Sequence, residues 1–123
     1  MSANTLCWTD IPVVNLDRAI KFYSAVLGEK VKKESMPEFE FGLLPHFKSN
    51  ASGCLVKMRG NKPSKTGPLI YLAVGKKHDQ AEKAAAKNGG KVLQPKHPIG
   101  PYGFRSVILD SEGNRIALHS EKG

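Results

Sequence analysis

The chain has 123 residues, 40% of them hydrophobic, and a formal net charge of +8. This length suits one compact unit of about 100–150 residues, and no apolar run approaches the ~18 residues of a membrane span. The lysines are spread over many segments, with no arginine-rich arm, zinc knuckle or aromatic nucleic-acid-binding strand beside them. The charge therefore argues for a solvated surface and, after that, for an anionic small ligand; without those motifs or a spanning segment, neither a nucleic-acid nor a membrane partner is expected.

Residues 5–13 read as a buried strand, ended by Pro12 and the turn former Asn15. Asn15 is a credible N-cap, with Asp17 in the first turn favouring the helix dipole. Leu16, Ile20, Tyr23 and Leu27 then recur at helical spacing, with Ala19 and Val26 beside them. Gly28 stops the helix as a left-handed C-cap residue. Residues 30–34, 39–44 and 53–58 follow as three strands, the last two joined by the polar loop 46–52. Residues 59–68 hold Gly60, Pro63, Gly67 and Pro68 and read as a connector. Their Ser64-Lys65-Thr66 lacks the Gly before Lys that a phosphate loop requires.

The second half opens with a strand at 69–74. An alanine-rich helix at 78–88 carries a weak apolar face of Ala81, Ala84 and Ala85 and stops at Asn88-Gly89-Gly90. A short strand at 91–93 leads into 94–103, where Pro95, Pro98 and Pro101 suit a lid over a pocket. Strands at 104–110 and 115–120 are joined by the turn Ser111-Glu112-Gly113-Asn114. Both cysteines, Cys7 and Cys54, fall in expected strands and read as buried free thiols. Residues Met1–Thr5 show neither the basic nor the apolar part of a secretory signal, so a cytoplasmic location is expected.

The chain repeats its plan. Ile11 and Leu72, Gly28 and Gly89, and Val31 and Val92 are each 61 residues apart. Strand, helix, Gly stop, Lys-Val and further strands recur in that order. Two such modules, 1–59 and 69–123 with a linker at 60–68, are expected to complete one core and frame a site between them. Helices this far apart, each followed by three strands, do not fit an alternating parallel sheet. An α+β fold of two βαβββ modules is expected, its mixed sheet curved around a cleft.

The tract from Ile11 to Gly28, with Asn15-Leu16, Ala19-Ile20, Phe22-Tyr23 and Leu27-Gly28, resembles the opening of the vicinal oxygen chelate superfamily. That group includes glyoxalase I, extradiol dioxygenases and bleomycin and fosfomycin resistance proteins. Asn88-Gly-Gly-Lys-Val92 and Asp110-Ser-Glu-Gly-Asn-Arg-Ile-Ala-Leu-His119 resemble its second half. The resemblance implies a single glyoxalase-like domain, commonly in a homodimer, with four metal ligands on the first and last strands of the two modules.

Carried onto this chain, those ligand positions fall at Trp8, Leu69 and Ala117, and the 61-residue offset puts the fourth at Val56. None of these side chains coordinates a divalent metal. No cofactor is expected, a metal only at other ligands, and the metal-dependent activities of the family lose their basis. Strand alternation groups Trp8 with Leu6 and Asp10, Leu69 with Tyr71 and Ala73, and Ala117 with Arg115 and His119. Trp8, Asp10, Val56, Leu69, Tyr71, Phe104, Arg115, Ala117 and His119 form the expected ligand-binding set. His119, Asp10 and Tyr71 are its candidate acids and bases. His46, His78 and His97 read as surface residues, His97 within reach of the pocket mouth, and Asp10 is expected to have a partner such as Arg115 or a backbone amide. Three readings stand: metal-independent binding of a small organic ligand, a lyase or isomerase using a displaced metal or metal-free acid/base site, and an interaction module with a vestigial cleft.

Overall fold

A computed structural model describes residues 5–47 and 52–122. Strand β1 (Trp8–Pro12) leads into helix α1 (Leu16–Leu27), then β2 (Lys32–Ser35), β3 (Glu40–Leu43) and β4 (Ser52–Val56). The second half gives β5 (Ile70–Ala73), helix α2 (His78–Lys87), β6 (Lys91–Pro98), β7 (Phe104–Leu109) and β8 (Arg115–Ser120). These make two four-stranded sheets, ordered β1-β4-β3-β2 and β5-β8-β7-β6. In each, the first and last strands are parallel and the other neighbours antiparallel.

Helix α1 begins and ends where its sequence requires. The Asn15 side chain accepts from the Arg18 backbone N–H at 3.0 Å, and Gly28 closes the helix at φ 69°. Its fully buried residues are Ala19, Phe22, Tyr23 and Val26, while Leu16, Ile20 and Leu27 pack at the margin. The buried stripe is thus centred on Phe22 and Tyr23, because α2 and the second sheet also press on this helix.

The core draws on both halves: Ile11, Val13, Phe22, Tyr23 and Leu55 share one cluster with Ala81, Ala85, Ile108, Ile116 and Leu118. Each module alone would leave this helix-side surface open to water. The opposite faces of the two sheets carry the larger polar and aromatic side chains.

Three expectations change. Residues 94–98 are not a lid but the continuation of β6, paired with β7 through His97↔Arg105 and Pro98↔Phe104. Prolines are tolerated there because β6 is an edge strand whose register shifts between Val92 and Gln94 and again before His97. Cys7 lies before β1 and is exposed, whereas Cys54 is buried. His78 is 2% exposed, since the start of α2 is pressed against the sheet. Of the loop expected at 46–52, residues 48–51 lie outside the described part.

Candidate functional site

Along β1, Ile11 and Val13 enter the helix-side core, which turns Trp8 and Asp10 to the other side. Here they border a cleft of about 1060 Å³. One wall comes from Leu6, Trp8, Thr9 and Asp10, another from residues 68–73, and a third from Leu44, Pro45, His46 and Phe47. Trp8 is 49% exposed and Tyr71 45%, so two large aromatic faces are open to whatever enters.

The polar chemistry of the floor is concentrated at Asp10. Its Oδ1 accepts from Trp8 Nε1 at 3.1 Å and from Cys54 Sγ at 3.3 Å. Burial, together with the carboxylate beside it, pushes the Cys54 thiol up to about 11. Cys54 is therefore a protonated donor at neutral pH and not a nucleophile. Arg115, expected beside Asp10, instead donates to the Gly67 carbonyl at 3.3 Å.

Of the nine expected ligand-binding residues, Trp8, Asp10, Leu69 and Tyr71 line the cleft. Val56 and Ala117 are buried at 1% and 0%. His119 donates from Nε2 to the Tyr102 carbonyl at 2.6 Å and stacks edge-on towards Tyr71, with ring centroids 6.3 Å apart. Phe104 alternates with Ser106 and Ile108, which face the helices, so its neighbour Arg105 occupies the open face of β7. Sequence reasoning missed Arg105, His46 and Phe47. An arginine inside the mostly apolar strand β7 was the available sign of the first. The other two sit in a loop, where periodicity carries no information.

Strand register also revises the fourth metal-ligand position. Thr9 pairs with Gly53, and Ile70, 61 residues later, pairs with Ile116, which is 63 residues after Gly53. The last strands are thus offset by 63, and the counterpart of Ala117 is Cys54 rather than Val56. The set becomes Trp8, Cys54, Leu69 and Ala117, with a single thiol donor among four. Such a set does not fit a divalent cation. No group of three or more His, Cys, Asp or Glu side chains among the described residues is placed to hold a metal ion.

The motif at the β7–β8 turn does structural work. Asp110 is 3% exposed and accepts from Tyr23 Oη at 2.5 Å, from the Glu112 and Asn114 backbone amides and from Asn114 Nδ2. Burial, then the Asp110 carboxylate, holds the Tyr23 phenol well above its ordinary value. Asn114 Nδ2 also reaches the Pro12 carbonyl at 2.8 Å, so this turn locks the second module onto α1 and β1.

Known proteins share this fold. A glyoxalase/bleomycin resistance protein from Albidiferax ferrireducens T118 is similar at a TM-score of 0.73 and 17% identity, over 95% of this chain and 98% of that one. A glyoxalase/bleomycin resistance protein/dioxygenase family enzyme from Burkholderia phytofirmans PsJN gives 0.71 and 15%, over 96% and 99%. Glyoxalase I from Zea mays gives 0.68 and 24%, covering 94% of this chain but 45% of that one. These likenesses are of fold. No curated protein matches the sequence. The family model for the Glyoxalase/Bleomycin resistance protein/Dioxygenase superfamily matches residues 5–118, and the chain belongs to that superfamily.

Proposed function

We propose that this protein binds a small, amphipathic organic molecule in the cleft between β1 and β5, without the metal tetrad of its superfamily. The observation that carries this reading is the cleft itself, about 1060 Å³ and walled by Leu6, Trp8, Phe47, Leu69 and Tyr71, with Asp10 and Glu29 as its carboxylates. Concave sites with apolar walls and sparse polar groups bind by apolar contact and use the polar groups for orientation. Leu6, 80% exposed, and Phe47, 68% exposed, lie at the rim, and such a rim also suits pairing of two copies that closes the cleft.

Turnover has less support. Asp10 is engaged by Trp8 and Cys54, and His119 by the Tyr102 carbonyl. The test is native mass spectrometry of protein purified without chelators. A metal-free dimer carrying a stoichiometric organic mass supports the proposal, and that mass names the ligand. A stoichiometric divalent metal overturns it and reopens the lyase or isomerase reading.

A further inference from the structure

The open face of the second sheet carries a cation that no acid among the described residues neutralises. Arg105 forms no ion pair among the described residues, although Arg18, Lys33 and Lys96 all do. It is held instead by two neutral acceptors. Its Nε donates to His97 Nε2 at 3.1 Å and its Nη1 to Tyr71 Oη at 2.6 Å. Those two bonds, one from the β6 edge and one from β5, fix the plane of a half-buried guanidinium across the sheet.

Hydrogen-bond direction shows what is left over. Arginine only donates, so His97 Nε2 must accept. The His97 ring is then neutral in this arrangement, its proton on Nδ1 and given to the Pro95 carbonyl at 2.8 Å. Tyr71 Oη likewise accepts, which frees its own O–H to donate. Arg105 keeps both N–H bonds of Nη2 and one of Nη1 without a partner among the described residues. The cluster is therefore an array of donors that no acceptor among the described residues meets, and it carries a full positive charge. Arginine forks of this kind match the paired oxygens of an oxyanion. Tyr71 belongs to both places, since its ring lines the cleft and its hydroxyl holds Arg105.

We propose that Arg105, positioned by His97 and Tyr71, binds the oxyanion group of a ligand whose apolar body lies in the adjoining cleft. The preferred ligand class is thus an aromatic or amphipathic acid, and this rests on the cleft being a ligand site as proposed above. Tyr71 and Arg105 grip the charged end, and Trp8 and Leu69 receive the apolar end.

Two dyes with the same aromatic body provide the test, the anion 8-anilinonaphthalene-1-sulfonate and the neutral N-phenyl-1-naphthylamine. Wild type should bind the sulfonate at least about tenfold more tightly, a difference of ~1.4 kcal/mol. Arg105→Gln should lose that preference and leave the neutral dye within about twofold. Lys87→Gln removes an equal charge from the end of α2, on the helix side, and should change neither affinity. Folding of each variant is checked by circular dichroism. If Arg105→Gln does not fold, Tyr71→Phe substitutes for it, with an expected loss of roughly threefold for the sulfonate alone. Undiminished sulfonate binding in a folded Arg105→Gln protein, or an equal loss in Lys87→Gln, overturns the anion site while leaving the cleft intact. Failure of wild type to bind either dye overturns the cleft reading itself, and the anion site with it.

Discussion

Arg18 and Glu112 are 94 residues apart in sequence, yet Arg18 Nε reaches Glu112 Oε2 at 2.7 Å and Nη2 reaches Oε1 at 2.9 Å. The Glu112 side chain is fully buried, and its Oε1 also accepts from the Val14 and Asn15 backbone amides at 2.8 Å each. One carboxylate from the second module thus caps the first turn of α1 in the first. The overlap of a helix N-terminus with a buried anion is electrostatically favourable as well as directional.

Removing that carboxylate takes the acceptor from the Val14 and Asn15 amides and the ion-pair partner from Arg18, so Glu112→Ala should cost about 1–3 kcal/mol in urea unfolding. Burial raises the Glu112 pKa, but the Arg18 bond and the amide and Ser111 donors outweigh it and bring the carboxyl down from 4.5 to about 2. A carboxyl depressed in the folded state contributes fully above pH 4.5, and that contribution fades as pH falls towards 2. The acid limb of wild-type stability should therefore be steeper in this window than that of Glu112→Gln. Equal limbs would show that another group governs acid unfolding.

His78 is a second buried titrating group. Its Nδ1 lies 2.7 Å from Ser120 Oγ and its Nε2 2.8 Å from Ser106 Oγ, which clamps α2 to β7 and β8. Burial is the main cause that lowers its pKa below 6.5; Lys96 and His119 act the same way, while Glu82 and Asp79 oppose it. A lowered folded-state pKa means that stability is complete above 6.5 and declines as pH falls below it. Thermal midpoints measured from about pH 7 to pH 5 should drop more for wild type than for His78→Gln, which should itself cost ~1–3 kcal/mol. A His78→Gln protein with the wild-type slope would show that another group governs this limb.

The two thiols should differ sharply in reactivity. Cys7 is exposed, while Cys54 is buried, donates to Asp10 and is raised to about 11. At about pH 8, Ellman's reagent should titrate one thiol per folded chain and two after denaturation. Cys7→Ser should leave none reactive, and Asp10→Asn should speed the reaction of Cys54. Two fast thiols in the folded wild type would contradict the placement of Cys54.

Gly53 fixes the approach of β1 to β4. A Cβ there would lie 2.3 Å from the Thr9 carbonyl oxygen, which is backbone and has nowhere to go. Gly53→Ala should destabilise by roughly 2–3 kcal/mol through separation of the two strands. Gly60, at φ 82° with nothing within 4 Å of its Cβ, is the comparison. Gly60→Ala pays only for its backbone conformation, about 1 kcal/mol. Similar losses at both positions, read from urea midpoints, would mean that the contact at Gly53 relaxes.

Local chemistry in the sequence was enough for the elements and the family. Asn15 and Gly28 bound α1, alternation ordered the strands, and the tracts at 11–28 and 88–119 carried the resemblance, because capping and periodicity act within a few residues. Side assignment on β1 was legible for the same reason: Trp8 and Asp10 share the side of the strand that borders the cleft, opposite Ile11. The 61-residue offset held for helices and first strands but not for the last. The pairing of β4 with β1 is set by hydrogen bonds across the sheet, and only those show Cys54 in the position given to Val56. The proline-rich stretch became β6 because β7 offered it an edge to pair with. His78 and Arg105 acquired their surroundings from other strands, Ser106 and Ser120 for one and Tyr71 and the neighbouring edge strand's His97 for the other. What a residue contacts across a sheet or under a helix depends on non-local packing, and that was decided by the tertiary structure alone.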